Sequence, residues 1–329
     1  MVPAGSVKAP ADRGRGGICV AALRRYRSMV QFGADGGEVD VEQGAADPVA
    51  EFGARSVTAG DLSVSPAEPA RAVGPVTGVT WRAPRTWRFL LFLARVVVLP
   101  VARLKVTGDV PAALRDGPVI FAANHIGPFD PVAITAACRV ARLAPRLMAT
   151  GGLFRAPVVG SVMRAAGHIR INRRQADVGT AVDAVADALA VRSHVLGYPE
   201  GRITLDPGMW PERGKTGMAR IALRTGVPVV PVAQWGAHEV AAWGGFGPTV
   251  RTLGRSLLRR PVVRVHFGAP VNLSDLDPAS PGAAQRATDR IIDAITAELA
   301  ALRVAEPRLP RYVDPVRPLS TQRRHRPAR

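Results

Sequence analysis

A histidine and an aspartate lie five residues apart in Asn124-His125-Ile126-Gly127-Pro128-Phe129-Asp130-Pro131. An imidazole and a carboxylate held across a tight turn form a base and its orienter. The carboxylate fixes the tautomer and stabilises the imidazolium, while the other ring nitrogen takes a proton from a hydroxyl. No Ser or Cys stands beside the pair, so that hydroxyl belongs to a substrate. The ordinary alternative is a histidine at a strand end and an aspartate that caps a helix, since Asp followed by Pro is a helix start signal. Further along, Gly167-His168-Ile169-Arg170-Ile171-Asn172-Arg173 ends a strand-like run in cations suited to holding a phosphate. Tyr198-Pro199-Glu200-Gly201-Arg202-Ile203-Thr204 sets a carboxylate and a glycine after another apolar run, with Lys215 downstream. Gly226-Val227-Pro228-Val229-Val230-Pro231 carries two prolines close together, which predicts an edge or irregular strand.

Several other patterns fail on spacing. Gly208 to Thr216 imitates a phosphate-binding P-loop, but five residues separate its glycines instead of four. His238-Glu239 begins a zinc-protease pattern, yet Ala242 stands where the second histidine belongs. A Gly-x-Ser-x-Gly elbow is absent.

These residues need a scaffold. Strands are predicted at Leu104–Thr107, Val119–Ala123, Leu147–Ala149, His168–Ile171, His194–Tyr198, Val229–Ala233 and Val262–Phe267. Helices are predicted at Pro131–Val140, Pro157–Ala166, Ala176–Val191, Thr216–Arg224 and Ala283–Val304. The alternation predicts an α/β class: a single layered domain with a largely parallel or mixed central sheet flanked by helices. Ligands of such sheets sit beyond the carboxyl ends of the strands, where loops enter helices and where function is to be sought.

The domain reading is a leader over 1–80, an interfacial apolar helix over 81–103, the catalytic domain over 104–305 and a tail over 306–329. The leader is rich in Gly, Ala, Ser, Pro and acids and is expected to be disordered. The helix carries Trp81, Trp87, Arg85 and Arg88 beside a run from Phe89 to Leu99 interrupted by Arg95, which suits a helix lying on lipid headgroups. Packing on the sheet is the equal alternative. The tail holds eight Arg and two acids over residues 301–329 and is expected to be flexible.

The net charge of +18 is uneven: residues 1–80 carry −1 and residues 81–329 carry +19. Of 44 basic residues 41 are Arg, so composition alone is weak evidence for phosphate binding, and Lys215 stands out as one of three lysines. The tail has no interleaved aromatics, which argues against specific nucleic-acid reading. Two cysteines exclude a disulfide framework, and no run of about 18 apolar residues predicts a membrane span.

Taken in order, the four features resemble the glycerolipid acyltransferases typified by 1-acylglycerol-3-phosphate O-acyltransferase. Asn124, His125 and Asp130 match the Asn-His-x4-Asp block; Gly167, Ile171 and Arg173 match the second. Tyr198, Pro199, Glu200 and Gly201 match the third, and Pro228 and Pro231 the fourth. The resemblance covers about residues 80–275 and implies a glycerol-3-phosphate acyltransferase-like fold. It implies His125 and Asp130 as catalytic, with Asn124, Arg170, Arg173, Glu200, Gly201, Arg202 and Lys215 binding substrate or organising loops. Neither a metal, a bound cofactor nor a covalent acyl-enzyme is implied; acyl-CoA or acyl-carrier protein is the co-substrate. The implied setting is phospholipid biosynthesis by a cytoplasmic protein peripheral on the inner face of the cell membrane, with an anionic membrane surface and a lysophospholipid as partners. One departure stands out. After Glu200-Gly201 this chain reads Arg-Ile-Thr where the family reads Thr-Arg-Ser, so the phosphate-gripping arginine is shifted to Arg202. The alternatives are another acceptor, glycerol 3-phosphate or a lyso-aminolipid, or a non-catalytic basic protein that docks on membranes.

Overall fold

A computed structural model describes residues 80–171, 178–243 and 246–320. The leader 1–79, Arg173 and the last nine residues lie outside them. The seven strands are β1 (Arg103–Gly108), β2 (Ile120–Ala123), β3 (Arg146–Thr150), β4 (Ile169–Ile171), β5 (Val195–Gly197), β6 (Val229–Trp235) and β7 (Val262–Phe267). They form one sheet in the order β1-β7-β6-β2-β5-β3-β4. Every pairing is parallel except β6 with β7, so the sheet is mixed. The expected α/β class and all seven predicted strands are present.

Helices cover both faces: α1 (Arg85–Val101), α2 (Ala112–Arg115), α3 (Asp130–Val140), α4 (Gly151–Arg155), α5 (Pro157–Ala165), α6 (Val178–Ala190), α7 (Gly217–Thr225), α8 (Phe246–Arg259) and α9 (Ala283–Leu302). The central strands are almost wholly apolar because both their faces are covered. Ile120, Ala122 and Val229 join a core built with α6, α7 and α9. Their neighbours Phe121, Ala123, Val230 and Val232 point the other way, against α1 and α3. Three parallel neighbours, β6, β2 and β5, therefore end side by side, and the loops leaving them meet at one edge.

Four findings differ from the sequence reading or settle its alternatives. Pro228 and Pro231 flank and enter an interior strand, not an edge strand. Pro231 sits where the β6–β7 ladder, which begins at Val232, gives way to the bridge between Val229 and Val271, so its missing N–H breaks no rung. Helix α8 went unpredicted: Val250, Leu253, Leu257 and Leu258 repeat at helical spacing, but arginines and two glycines dilute the signal. Helix α1 is apolar on both sides. Trp87, Leu91, Ala94, Val98 and Val101 are buried in the domain, while Phe89, Phe92, Val96, Val97 and Leu99 face outward.

The tail is the fourth, over its described part. Residues 306–320 pack against the domain, and Glu306, Asp314 and Arg317 are buried. Glu306 Oε1 accepts from Trp235 Nε1 at 3.3 Å, Asp314 accepts from the Trp243 amide, and the Ser320 amide donates to Leu205 O at 2.9 Å. Arg303, just before it, lies over the rings of Trp210 and Trp235, 4.1 Å from each centroid. Composition predicts flexibility there because the segment has few apolar residues; its anchors are individual polar groups with specific acceptors.

Candidate active site

Strand β2 ends at Ala123, and Asn124 and His125 follow it directly. The chain turns through Gly127 and Pro128 and enters α3 at Asp130. Asp130 is the first helical residue, following Phe129 at the cap position, and its carboxylate caps nothing in the helix. It turns back instead: Oδ2 accepts from His125 Nδ1 at 2.7 Å, from the Ile126 amide at 2.5 Å and from the Gly127 amide at 2.9 Å. Asp130 is fully buried and the His125 side chain is 15% exposed. With Nδ1–H donating to the carboxylate, the Nε2 lone pair is free to accept a proton. The ring is further fixed by Tyr198, which stacks on it at 4.1 Å between centroids and 17° between planes. Burial drives the Tyr198 phenol well above its usual range, with the Asp130 charge adding to the effect, so the stacking partner is neutral.

The loop after β5 is laced to this turn. Glu200, also fully buried, accepts the His125 amide on Oε1 at 3.2 Å and the Glu212 amide on Oε2 at 2.9 Å. The Thr204 amide donates to His125 O at 2.8 Å. Gly201 holds a left-handed conformation (φ +71°), in which a side chain is strained. Its missing Cβ leaves room for the stem of Lys215, whose amide donates to Pro199 O at 2.9 Å. From the third strand, β6, Gln234 clasps Asn124. Its amide donates to Asn124 Oδ1 at 2.8 Å, its Nε2 to Asn124 O at 2.7 Å, and Asn124 Nδ2 to Gln234 O at 3.0 Å.

The structure thus sorts the predicted residues. His125 and Asp130 form the expected pair. Asn124 and Glu200 are buried and brace the loops through their hydrogen bonds. Arg202 pairs with the buried Glu212 at 3.2 Å, which makes the shifted arginine a strut of its loop. Gly201 and the exposed Lys215 stand beside it. Arg170 is exposed on β4, three strands from β2, about 14 Å away at the usual spacing between strands. Arg173 lies outside the described residues.

Three contributors were missed. Gln234 carried a signal, being the one polar side chain of an apolar strand, and Glu212 is an acid in the stretch discarded as a false P-loop. Arg317 arrives from the tail and carried none.

Known proteins bear on this arrangement. Residues 103–235 match the family model Acyltransferase, a span that contains every loop described above except the tail. A curated relative, the chloroplastic 1-acyl-sn-glycerol-3-phosphate acyltransferase BAT2 of Brassica napus, is 24% identical over 172 residues, 51% of this chain and 48% of that protein. The chain therefore spans about half the length of that relative. Among solved structures, the 1-acyl-sn-glycerophosphate (LPA) acyltransferase PlsC of Thermotoga maritima aligns at a TM-score of 0.46 and 19% identity, over 66% of this chain and 79% of that one. The four sequence blocks stand in order, the first and third are laced around one His–Asp pair, and residues 103–235 are similar to the Acyltransferase family.

Proposed function

We propose that this protein is an O-acyltransferase. It moves a fatty acyl group from acyl-CoA or acyl-carrier protein to the free hydroxyl of a lysophospholipid, 1-acylglycerol 3-phosphate in the simplest case. The observation that carries this reading is the 2.7 Å contact between His125 Nδ1 and the buried Asp130, which leaves Nε2 as the accepting nitrogen. In the reaction His125 Nε2 takes the hydroxyl proton as the oxygen attacks the thioester carbonyl. The C–S bond then breaks, the new ester forms, and the thiolate recovers the proton from the imidazolium. Asp130 compensates the transient positive charge. No protein nucleophile is called on; the Thr204 hydroxyl is engaged by Trp210 O at 2.8 Å.

A bilayer face is the natural place for such a substrate. The outward side of α1 supports it, as does the adjoining cleft of about 640 Å³ where Arg85, Arg88, Arg139 and Arg142 meet Phe89 and Phe92. No helix among the described residues is long and apolar enough to cross a membrane. This face would set the protein on the anionic inner surface of the cell membrane, from the cytoplasmic side.

The Arg202–Glu212 pair favours a second reading of the acceptor alone. An arginine held by a carboxylate is poorly placed to grip a phosphate, so glycerol 3-phosphate or a lyso-aminolipid belongs in the same assay. Purified protein with labelled acyl-CoA or acyl-carrier protein and a panel of acceptors should yield acylated product. His125→Ala should lower the rate by about 10²–10⁴-fold with folding unchanged. Full activity in that variant would sink the mechanism. Vesicle binding without turnover on any acceptor would leave a docking protein.

A further inference from the structure

The segment after α9 places one arginine between the two loops that build the site. Arg317 Nη1 donates to Ile126 O at 2.5 Å and Nη2 donates to Thr204 O. Ile126 directly follows the base, and Thr204 is the residue whose amide holds the base's own carbonyl. Arg317 is 7% exposed, so this fork operates away from solvent. Burial pulls its guanidinium below the usual arginine range, opposed by the charges of Asp130 first, then Asp314, Asp206 and Glu200. The segment is itself pinned, through Asp314 to the Trp243 amide and through Ser320 to Leu205. The matched acyltransferase span ends at residue 235, well before this arginine.

A planar guanidinium with two parallel N–H groups can bridge two carbonyls in fixed geometry, which a single ammonium cannot do. Without it, the buried Ile126 and Thr204 carbonyls lose a shared donor, and the Glu200 and Thr204 contacts and the Tyr198 stack must hold the two loops together. We propose that Arg317 is a positioning residue: it clamps the His125–Asp130 loop to the Glu200–Thr204 loop and thereby sets the aim of the His125 imidazole. The C-terminal segment is on this view part of the active site and not an appendage. The catalytic half of the claim rests on His125 acting as general base; the clamp itself does not.

The full chain is compared with Arg317→Ala, Arg317→Lys and, as a control on the same segment, Leu319→Ala, whose side chain is half-exposed. For Arg317→Ala, kcat should fall about 10²-fold, the scale of an ångström-sized misplacement, with KM for the acyl donor nearly unchanged. Millimolar guanidinium should restore part of the rate in that variant alone. Arg317→Lys keeps the charge and the fold but loses the fork, so its kcat should drop about tenfold. Wild-type kcat in either variant, or an equal loss in Leu319→Ala, overturns the catalytic role. Amide hydrogen exchange needs no substrate: residues 125–130 and 200–205 should exchange faster in Arg317→Ala, while β2 and β5 are unchanged. If the wild-type protein acylates no acceptor, the reading of function falls, and exchange alone decides the clamp. Unchanged loop exchange refutes it.

Discussion

Replacing Asp130 by asparagine isolates charge from shape. All three hydrogen bonds to Asp130 converge on Oδ2, while Oδ1 is buried with no partner. An asparagine can keep its carbonyl oxygen at the Oδ2 position, accept the same three N–H groups and preserve the His125 tautomer. What it loses is the negative charge facing the imidazolium that forms during acyl transfer. A hydrogen bond to a charged group exceeds a neutral one by about 1–2 kcal/mol, and opposite charges about 4 Å apart attract by about 4 kcal/mol at an effective dielectric of 20. A net loss of about 2–4 kcal/mol corresponds to about 30- to 1000-fold in kcat. Before proton transfer His125 is neutral, so KM should move little. The amide NH₂ would occupy the unpartnered Oδ1 site at a further cost of about 1–3 kcal/mol in stability, visible as a melting point lower by several degrees. The assay is steady-state release of thiol from acyl-CoA in the presence of acceptor, with melting curves on the same samples. A variant that folds and keeps kcat within about threefold of wild type, a barrier change under about 1 kcal/mol, would show that Asp130 only shapes the loop.

Two further outcomes concern stability. His238 is buried with both ring nitrogens unpartnered, and burial, then the charges of Arg317 and Arg303, push it down to about 3. Burial and Arg146 similarly bring His168 to about 4. Both stay neutral in the fold but protonate near 6.5 when unfolded, so the unfolded state gains protons as pH falls below 6.5. Their stabilising contribution is present above that pH and declines below it, by about 1.4 kcal/mol per unit for each group. Urea unfolding should therefore give less stability at pH 5 than at pH 7, and His238→Leu should remove about 2 kcal/mol of that difference; an unaltered difference would contradict the burial argument. Gly201→Ala places a methyl group in the left-handed region 3.2 Å from Lys215 Cδ. It should cost about 1–2 kcal/mol and lower kcat, because the loop carrying Glu200 must shift; wild-type melting and turnover together would contradict this.

Strands β2, β5 and β6 are legible in the sequence because they are short, almost wholly apolar and bounded by Gly, Pro or Asn, a pattern that needs only local information. The His125–Asp130 pair is legible for the same reason, since five residues and a Gly-Pro turn bring the two together within one loop. The extent of α8 and the packing of the tail are not. In α8 the arginines mask the apolar repeat, and in the tail no residue periodicity exists to be found.

The chain's own pattern determined the α/β layering and the pairing of His125 with Asp130 at a strand end, because each depends on neighbours a few residues apart. Tertiary structure alone decided what the remaining polar residues do. Asn124 is spent on Gln234, Glu200 on two backbone amides and Arg202 on Glu212, while Arg317 crosses from residue 317 to carbonyls at 126 and 204. A buried polar group takes whichever partner the fold brings within about 3 Å. Spacing along the chain carries no record of that choice.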